Sequence, residues 1–337
     1  MLLSELGGYF ESIGERAFRA EQVFRWVQQG GARSFGEMTN LSKALKEKLG
    51  GEFYITVPEM VEKQVSKLDG TIKYLWRLAD GNTIETVVME YEHGHTVCIS
   101  TQVGCRMGCS FCASAIGGLV RNLAASEMLD QVMFSQLDTG KRIANIVLMG
   151  IGEPLDNFEN VLRFLELINH PSGMGVGARH ITLSTCGIIE NIDKLAVHDV
   201  QLSLAISLHA PDDETRALLM PISKAYGVDD LLRACGRYFK TTGRRITFEY
   251  ALIGGVNDTQ SHAELLAKKL RNTGSHLNLI LFNDVPECDF RESTPEDKKQ
   301  FVNILRKNNV HFTVRRKLGS DIEASCGQLR RRRAVES

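Results

Sequence analysis

Three cysteines stand on one short loop in the spacing Cys105-x3-Cys109-x2-Cys112. Thiolates are the usual ligands of iron–sulfur clusters, and three of them can hold three irons of a four-iron cluster while the fourth iron keeps an open coordination position. A molecule that chelates through an amino and a carboxylate group, as methionine does, can bind that open iron and receive an electron directly. Structural zinc wants four closed ligands instead, a set that His93 or His95 would complete as Cys3His. Gly104 and Gly108 suit a tight loop, and Phe111 beside the last ligand suits shielding a cluster from solvent.

The remaining composition narrows the setting. Eight cysteines in 337 residues are too few for a disulfide scaffold, and their crowding at 105–112 points to metal binding. Hydrophobic residues at 43% and charged residues at 24% are those of a folded globular chain, so disorder of the whole is excluded. No run approaches the roughly 20 apolar residues that span a bilayer, and an N-terminus carrying Glu5, Glu11 and Glu15 lacks a signal-peptide layout. A cytoplasmic monomer with no membrane contact is expected. A net charge of -1 gives no global pull toward nucleic acid, so an RNA site must come from local basic patches. Two exist: Arg315, Arg316 and Lys317 with the arginines at 330–333, and Arg16, Arg19, Arg25 and Arg33 near the N-terminus.

The elements that must position the loop follow from periodicity. Residues 1–50 read as a small helical domain, with Phe18, Val23, Phe24 and Val27 at helical spacing. Residues 51–95 read as a short antiparallel β extension, with runs at 72–78 and 83–90 and turns at Asp69-Gly70 and Asp80-Gly81. From 96 to 337, strand-like runs at 96–100, 143–149, 181–185, 201–207, 246–252 and 278–282 alternate with helical runs such as 126–136, 158–168 and 261–271. That alternation predicts an α/β fold, a partial (β/α)6 barrel, with 311–315 as a seventh strand at its edge.

In βα barrels chemistry collects at the C-terminal ends of the strands. Here the polar residues fall there in turn: the cysteine loop, Gly152 and Glu153, Ser184, then Ser207, Leu208 and His209, and Asn283. Each has an ordinary explanation as turn, cap or packed residue. Their shared rim, facing a metal loop, is what makes them a candidate site.

The Cys105 to Cys112 spacing, the Gly152-Glu153 pair and the strand count resemble the radical SAM superfamily, whose cluster cleaves S-adenosylmethionine and whose Gly-Glu segment contacts its amino group. Further marks resemble the RlmN/Cfr family over nearly the whole chain: Gln102-Val-Gly-Cys105, Arg121-Asn122-Leu123, Met149-Gly-Ile-Gly-Glu-Pro154, Ser207-Leu-His209-Ala-Pro211 and Cys326-Gly-Gln-Leu329. Pro154 and the Ser184-Thr-Cys186-Gly run favour the RlmN branch, whereas Ala113-Ser-Ala115 departs from the Ala-Thr-Gly frequent in the family. The resemblance implies a [4Fe-4S] cluster on Cys105, Cys109 and Cys112, and two S-adenosylmethionine molecules per turnover held by Gly152, Glu153, Ser184, Ser207, Leu208, His209 and Asn283.

It also implies a reaction: methylation at C2 of an adenosine in 23S rRNA at the peptidyl transferase centre, and of the adenosine at position 37 of some tRNAs. Adenine C2 is electrophilic, so direct transfer from a sulfonium fails and a relay through sulfur is needed. Cys326 would become S-methylcysteine by nucleophilic attack, Cys98 would resolve the RNA adduct by forming a disulfide, and Glu85 would accept the ring proton. Electrons would come from a flavodoxin-like donor. A Cfr-type enzyme acting on C8, a radical SAM enzyme acting on a peptide or small molecule, and a non-enzymatic zinc or iron–sulfur RNA-binding protein are the other readings the residues allow. Cys186, Cys235 and Cys288 read as small buried hydrophobes.

Overall fold

The structure is a computed structural model that describes residues 1–330 except His93, Asp199 and Asp284; the arginines at 331–333 lie outside the described residues. Three helices come first, α1 (Leu3–Ser12), α2 (Phe18–Gln28) and α3 (Lys43–Glu52). Their apolar stripes, Leu6 and Phe10, Val23 and Phe24, Leu45 and Leu49, are buried at helical spacing in the same continuous core as the rest of the chain. Gln29 donates to the Gly173 carbonyl at 3.0 Å, and Ser172 donates to Glu21 at 2.8 Å, which ties this helical segment to the body.

Next come β1 (Glu59–Val65), β2 (Ile72–Arg77), β3 (Thr83–Tyr91) and β4 (Gly94–Cys98). The alternation in β2 and β3 is legible in sequence; β1 is not. Glu59, Glu62 and Lys63 leave it mostly exposed at one edge, where charged side chains discourage further strand pairing. β4 pairs antiparallel with β3 and parallel with β7 (Ile143–Leu148), so the antiparallel strands and the barrel strands form one sheet.

Between β4 and β7 lie a small hairpin, β5 (Gln102–Gly104) and β6 (Leu119–Asn122), and α4 (Ala125–Thr139). The chain then alternates α5 (Phe158–Asn169), β8 (Ile181–Thr185), α6 (Ile189–Val197), β9 (Ser203–Ser207), α7 (Asp213–Leu219), α8 (Val228–Thr242), β10 (Thr247–Leu252), α9 (Gln260–Leu270), β11 (His276–Leu281), α10 (Pro295–Lys307) and β12 (Phe312–Val314). Strands β4, β7, β8, β9, β10, β11 and β12 are parallel neighbours in that order. This is the open α/β barrel the periodicity predicts, with the edge strand shortened to Phe312–Val314. The strand expected from 201 begins at Ser203.

The helices cover the sheet because their apolar positions repeat at i, i+3, i+4 and i+7: Val161, Phe164, Leu165 and Ile168 of α5 are buried this way. Both α4 and α8 end on glycines in the left-handed region, Gly140 (φ 64°) and Gly243 (φ 66°), which free the chain to turn back toward the sheet. Among the described residues no helix is long and apolar enough to cross a membrane. Phe164 is fully buried between α5 and the sheet. Its replacement by Ala should lower stability by about 3–5 kcal/mol, seen as a lower urea midpoint with an unchanged m-value.

Candidate active site

The C-terminal ends of the parallel strands open into one cavity. Its wall includes Cys105, Cys109 and Cys112, then Gly152 and Glu153, Ser184, Ser207, His209, Asn283 and Cys326. Residues that are remote in sequence but share strand ends thus meet, as a parallel barrel requires.

The cysteine loop is held from three sides. The Cys105 N–H donates to the Gly118 carbonyl at 3.2 Å, and Gly104 (φ +77°) must be glycine because a Cβ there would lie 1.9 Å from that carbonyl oxygen. Ser110 gives its N–H to the Leu219 carbonyl at 3.0 Å and its hydroxyl to the Leu218 carbonyl at 3.1 Å. Ala113 N–H donates to the Gly327 carbonyl at 2.8 Å, and the Ser114 hydroxyl donates to the Leu329 carbonyl at 2.7 Å.

Burial raises the pKa of all three loop thiols, that of Cys105 up to about 12, and each is raised further by its neighbours. Three thiols that resist ionising together fit a cationic iron group, which deprotonates its sulfur ligands and offsets their repulsion. Among the described residues no three His, Cys, Asp or Glu side chains converge closely enough to hold a single metal ion. His95 lies on β4 with Nε2 3.7 Å from Glu90, and His93 is outside the described residues. Phe111 sets its ring edge-on to His209, with centroids 5.0 Å apart.

After β7 the chain passes Gly150 and Gly152, where a Cβ would lie within 2.8 Å of backbone at Ile99 and Gln102. That close approach brings Glu153 to the cavity. Its carboxylate is buried and accepts N–H groups from Leu155 (3.0 Å) and Cys186 (2.8 Å). Burial raises its pKa; those N–H groups, the Thr185 hydroxyl and the Cys186 thiol act the other way, and among the described residues it has no ion-pair partner. A bound ammonium would supply the missing cation.

His209 adopts φ 55°, and its Nδ1 accepts the Ala251 N–H at 2.9 Å, so its proton sits on Nε2. Burial, then the charge of Arg216, push its pKa down to about 3. Ser184 and Ser207 are half-buried on the wall, whereas the Leu208 side chain is fully buried and does not line the cavity. Leu208 contributes backbone instead: its N–H donates to the Glu249 carbonyl at 3.0 Å, and its carbonyl accepts from Arg216 at 3.1 Å.

A second cavity adjoins the first, and Cys326 and Asn283 line both; Cys98 lines only the second. Asn283 donates to the Cys326 carbonyl at 3.2 Å. Both cysteines are free, Cys326 exposed and Cys98 buried. Burial, then the neighbouring Cys326, push the Cys98 thiol up to about 12, opposed by the Met149 N–H and Arg315. Glu85 lines neither cavity. It is buried on β3, where it accepts the Arg330 N–H at 2.8 Å and lies 3.8 Å from Lys73.

The basic patches are less available than the sequence suggests. Arg315 faces Glu249 at 3.4 Å, Lys317 pairs with Glu292 at 2.6 Å, and Arg330 pairs with Glu287. Near the N-terminus, Arg25 pairs with Glu21 at 2.6 Å, and Arg33 stacks over Phe134. Arg216 and Glu249 escape sequence reasoning, as does the inward turn of Arg315, because no periodicity or motif marks a charged residue that turns inward.

Residues 1–55 match the family described as the ribosomal RNA large subunit methyltransferase N-terminal domain, and residues 99–267 match the radical SAM superfamily. A Clostridium perfringens protein named as a probable dual-specificity RNA methyltransferase RlmN is 51% identical over 329 residues, 98% of this chain and 95% of its own. The chain belongs to the RlmN family of radical SAM proteins. Its RlmN relative from Clostridium tetani is 52% identical over 330 residues, covering 98% and 94% of the two chains. The crystal structure of a radical SAM methyltransferase from Sphaerobacter thermophilus superposes with a TM-score of 0.93 at 44% identity, covering 98% and 97%. Membership makes a [4Fe-4S] cluster and S-adenosylmethionine the cofactors of this RlmN-family chain, in keeping with its desolvated thiols and a Glu153 that has no ion pair among the described residues.

Anaerobically reconstituted protein should carry about four irons and absorb broadly near the visible; Cys109→Ala should abolish both. His209 stays neutral when folded, while the unfolded residue takes a proton below its ordinary pKa of 6.5. Stability should therefore fall by about 1.4 kcal/mol per pH unit on acidifying from 6 toward 4. Urea melts of His209→Gln should show a shallower slope over that range.

Proposed function

We propose that this RlmN-family chain is a radical SAM RNA methyltransferase that methylates C2 of an adenosine in 23S rRNA at the peptidyl transferase centre. The same site would act on C2 of the adenosine at position 37 of some tRNAs, the dual specificity that its relatives' names carry. The observation that carries the reading is the place of Cys326, on the wall between a cavity lined by the cysteine loop and Glu153 and a second cavity lined by Cys98.

Cys105, Cys109 and Cys112 hold the cluster, Glu153 takes the ammonium of S-adenosylmethionine, and Ser184, Ser207, neutral His209 and Asn283 meet its remaining polar groups. Leu208 acts through its backbone. The Cys326 thiolate attacks the methyl group of one S-adenosylmethionine; the new S–C bond forms as the sulfonium C–S bond breaks and S-adenosylhomocysteine leaves. When bound, the cluster supplies and takes back the single electron that turns a second S-adenosylmethionine into a hydrogen-abstracting 5'-deoxyadenosyl radical. Cys326 thereby presents a methylene that adds to the adenine carbon, and the ring proton leaves to Glu85, whose carboxylate must part from the Arg330 N–H to take it. The Cys98 thiolate then attacks the Cys326 sulfur. A disulfide forms, the S–CH2 bond breaks toward carbon, and a proton completes the methyl group.

Residues 1–50 serve as the RNA-binding accessory unit beside the β segment at 51–95, and 96–337 as the catalytic unit; splayed adenosines are what such a site can reach. A flavodoxin-like donor supplies electrons to a monomeric, cytoplasmic enzyme. Mass spectrometry of 23S rRNA from a strain lacking the protein should show loss of 2-methyladenosine; loss of 8-methyladenosine instead would make it a Cfr-type enzyme. Cys98→Ala should accumulate a covalent protein–RNA adduct on denaturing gels at Cys326, and the Cys98→Ala/Cys326→Ala double variant should accumulate none.

A further inference from the structure

Arg216 is a charged residue in the body of the fold for which the proposed chemistry has no use. It sits on α7 and is fully buried. Its guanidinium donates to the carbonyls of Cys186 (2.6 Å), Ser207 (3.2 Å) and Leu208 (3.1 Å). Those carbonyls end β8 and β9, beside the side chains of Ser184, Ser207 and His209.

The same short helix reaches the cysteine loop. Its last carbonyls, Leu218 and Leu219, accept from Ser110, which lies between Cys109 and Cys112. α7 therefore bridges the strand ends and the metal loop, and Arg216 is its grip on the strands.

The guanidinium also makes no ion-pair contact among the described residues. Its partners are neutral carbonyls, and among the described residues no carboxylate lies within ion-pair distance of it. Asp213, a turn away, accepts the Val228 N–H on Oδ1 at 2.6 Å. Burying a cation without an anion is unfavourable, and the imbalance is relieved when an anion arrives nearby. The groups that favour the charged form of Arg216 are Cys186 first, then the cluster ligand Cys109, then Asp213 and Cys235. Three thiolates around a [4Fe-4S] core carry net negative charge.

We propose that Arg216 is a positioning residue that holds the S-adenosylmethionine-binding strand ends in register with the cysteine loop, and that its buried charge is the fixed counter-cation of the thiolate-ligated cluster. The inference rests on the radical SAM reading of the site. Removing a cation beside the cluster makes each added electron harder to place, so the midpoint potential moves negative. Shortening the planar fork to an ammonium keeps the charge but cannot reach three carbonyls at once.

Two variants of the cluster-loaded, full-length protein separate these parts. Gln at 216 keeps donors and loses the charge; Lys keeps the charge and loses the fork. In a potentiometric titration read by electron paramagnetic resonance without S-adenosylmethionine, Arg216→Gln should reduce the ratio of reduced to oxidised cluster about tenfold at fixed potential, a shift of about 59 mV for one electron. Arg216→Lys should titrate like the wild type yet raise the Kd for S-adenosylmethionine at least fivefold. Loss of cluster in Arg216→Gln alongside retention in Arg216→Lys would also support the charge assignment. A Gln variant that holds its cluster at the wild-type midpoint overturns the counter-charge, and a Lys variant with wild-type affinity overturns the register. Wild-type protein that takes up no four-iron cluster would instead sink the radical SAM reading itself.

Discussion

Anionic donors buried on one rim of a parallel sheet are the constraint around which the rest of this molecule is organised. Glu153 is closed off from solvent among N–H, hydroxyl and thiol partners, and three thiols crowd beside it under desolvation that disfavours their ionised forms. Isolated charges in such surroundings are unfavourable unless paired. In the proposed function the site is thereby preorganised for cationic ligands, iron on one side and an ammonium on the other. The neutral His209 adds no charge that would compete with them.

Holding that rim together falls to the loops rather than the strands. The hairpin β5–β6 grips the start of the cysteine loop, α7 grips its middle, and the segment at 327–329 grips its end. The C-terminal segment also contacts Glu85 through Arg330 and Asn283 through Cys326. It is a wall shared by two cavities, with the exposed Cys326 on it and a left-handed glycine, Gly327 (φ 84°), immediately after. Cys326 lines both cavities from this turn, whereas Cys98 is held at the end of β4 and lines one.

Much of this was legible in the sequence because it is local. Helical spacing set α5, alternation set β2 and β3, and the cysteine spacing with its glycines set the metal loop. The order of polar residues after successive strands located the rim, since strand ends in a parallel barrel share a face whatever the details. β1 was hidden because an exposed edge strand carries charges where a buried one carries apolar residues.

What only the tertiary structure decided is which side chains turn inward and what they meet. Leu208 follows a strand among candidate site residues, yet its side chain enters the core and its backbone bonds to Glu249 and Arg216. Glu85 alternates as any strand residue does, and only packing against Arg330 placed it outside both cavities. Arg315 reads as part of a basic patch until the fold sets it against Glu249, and nothing in the spacing marks Arg216 for its place against buried carbonyls. The physical reason is common to all four: spacing along the chain encodes local geometry, whereas burial and charge pairing depend on segments that meet only after the sheet has formed.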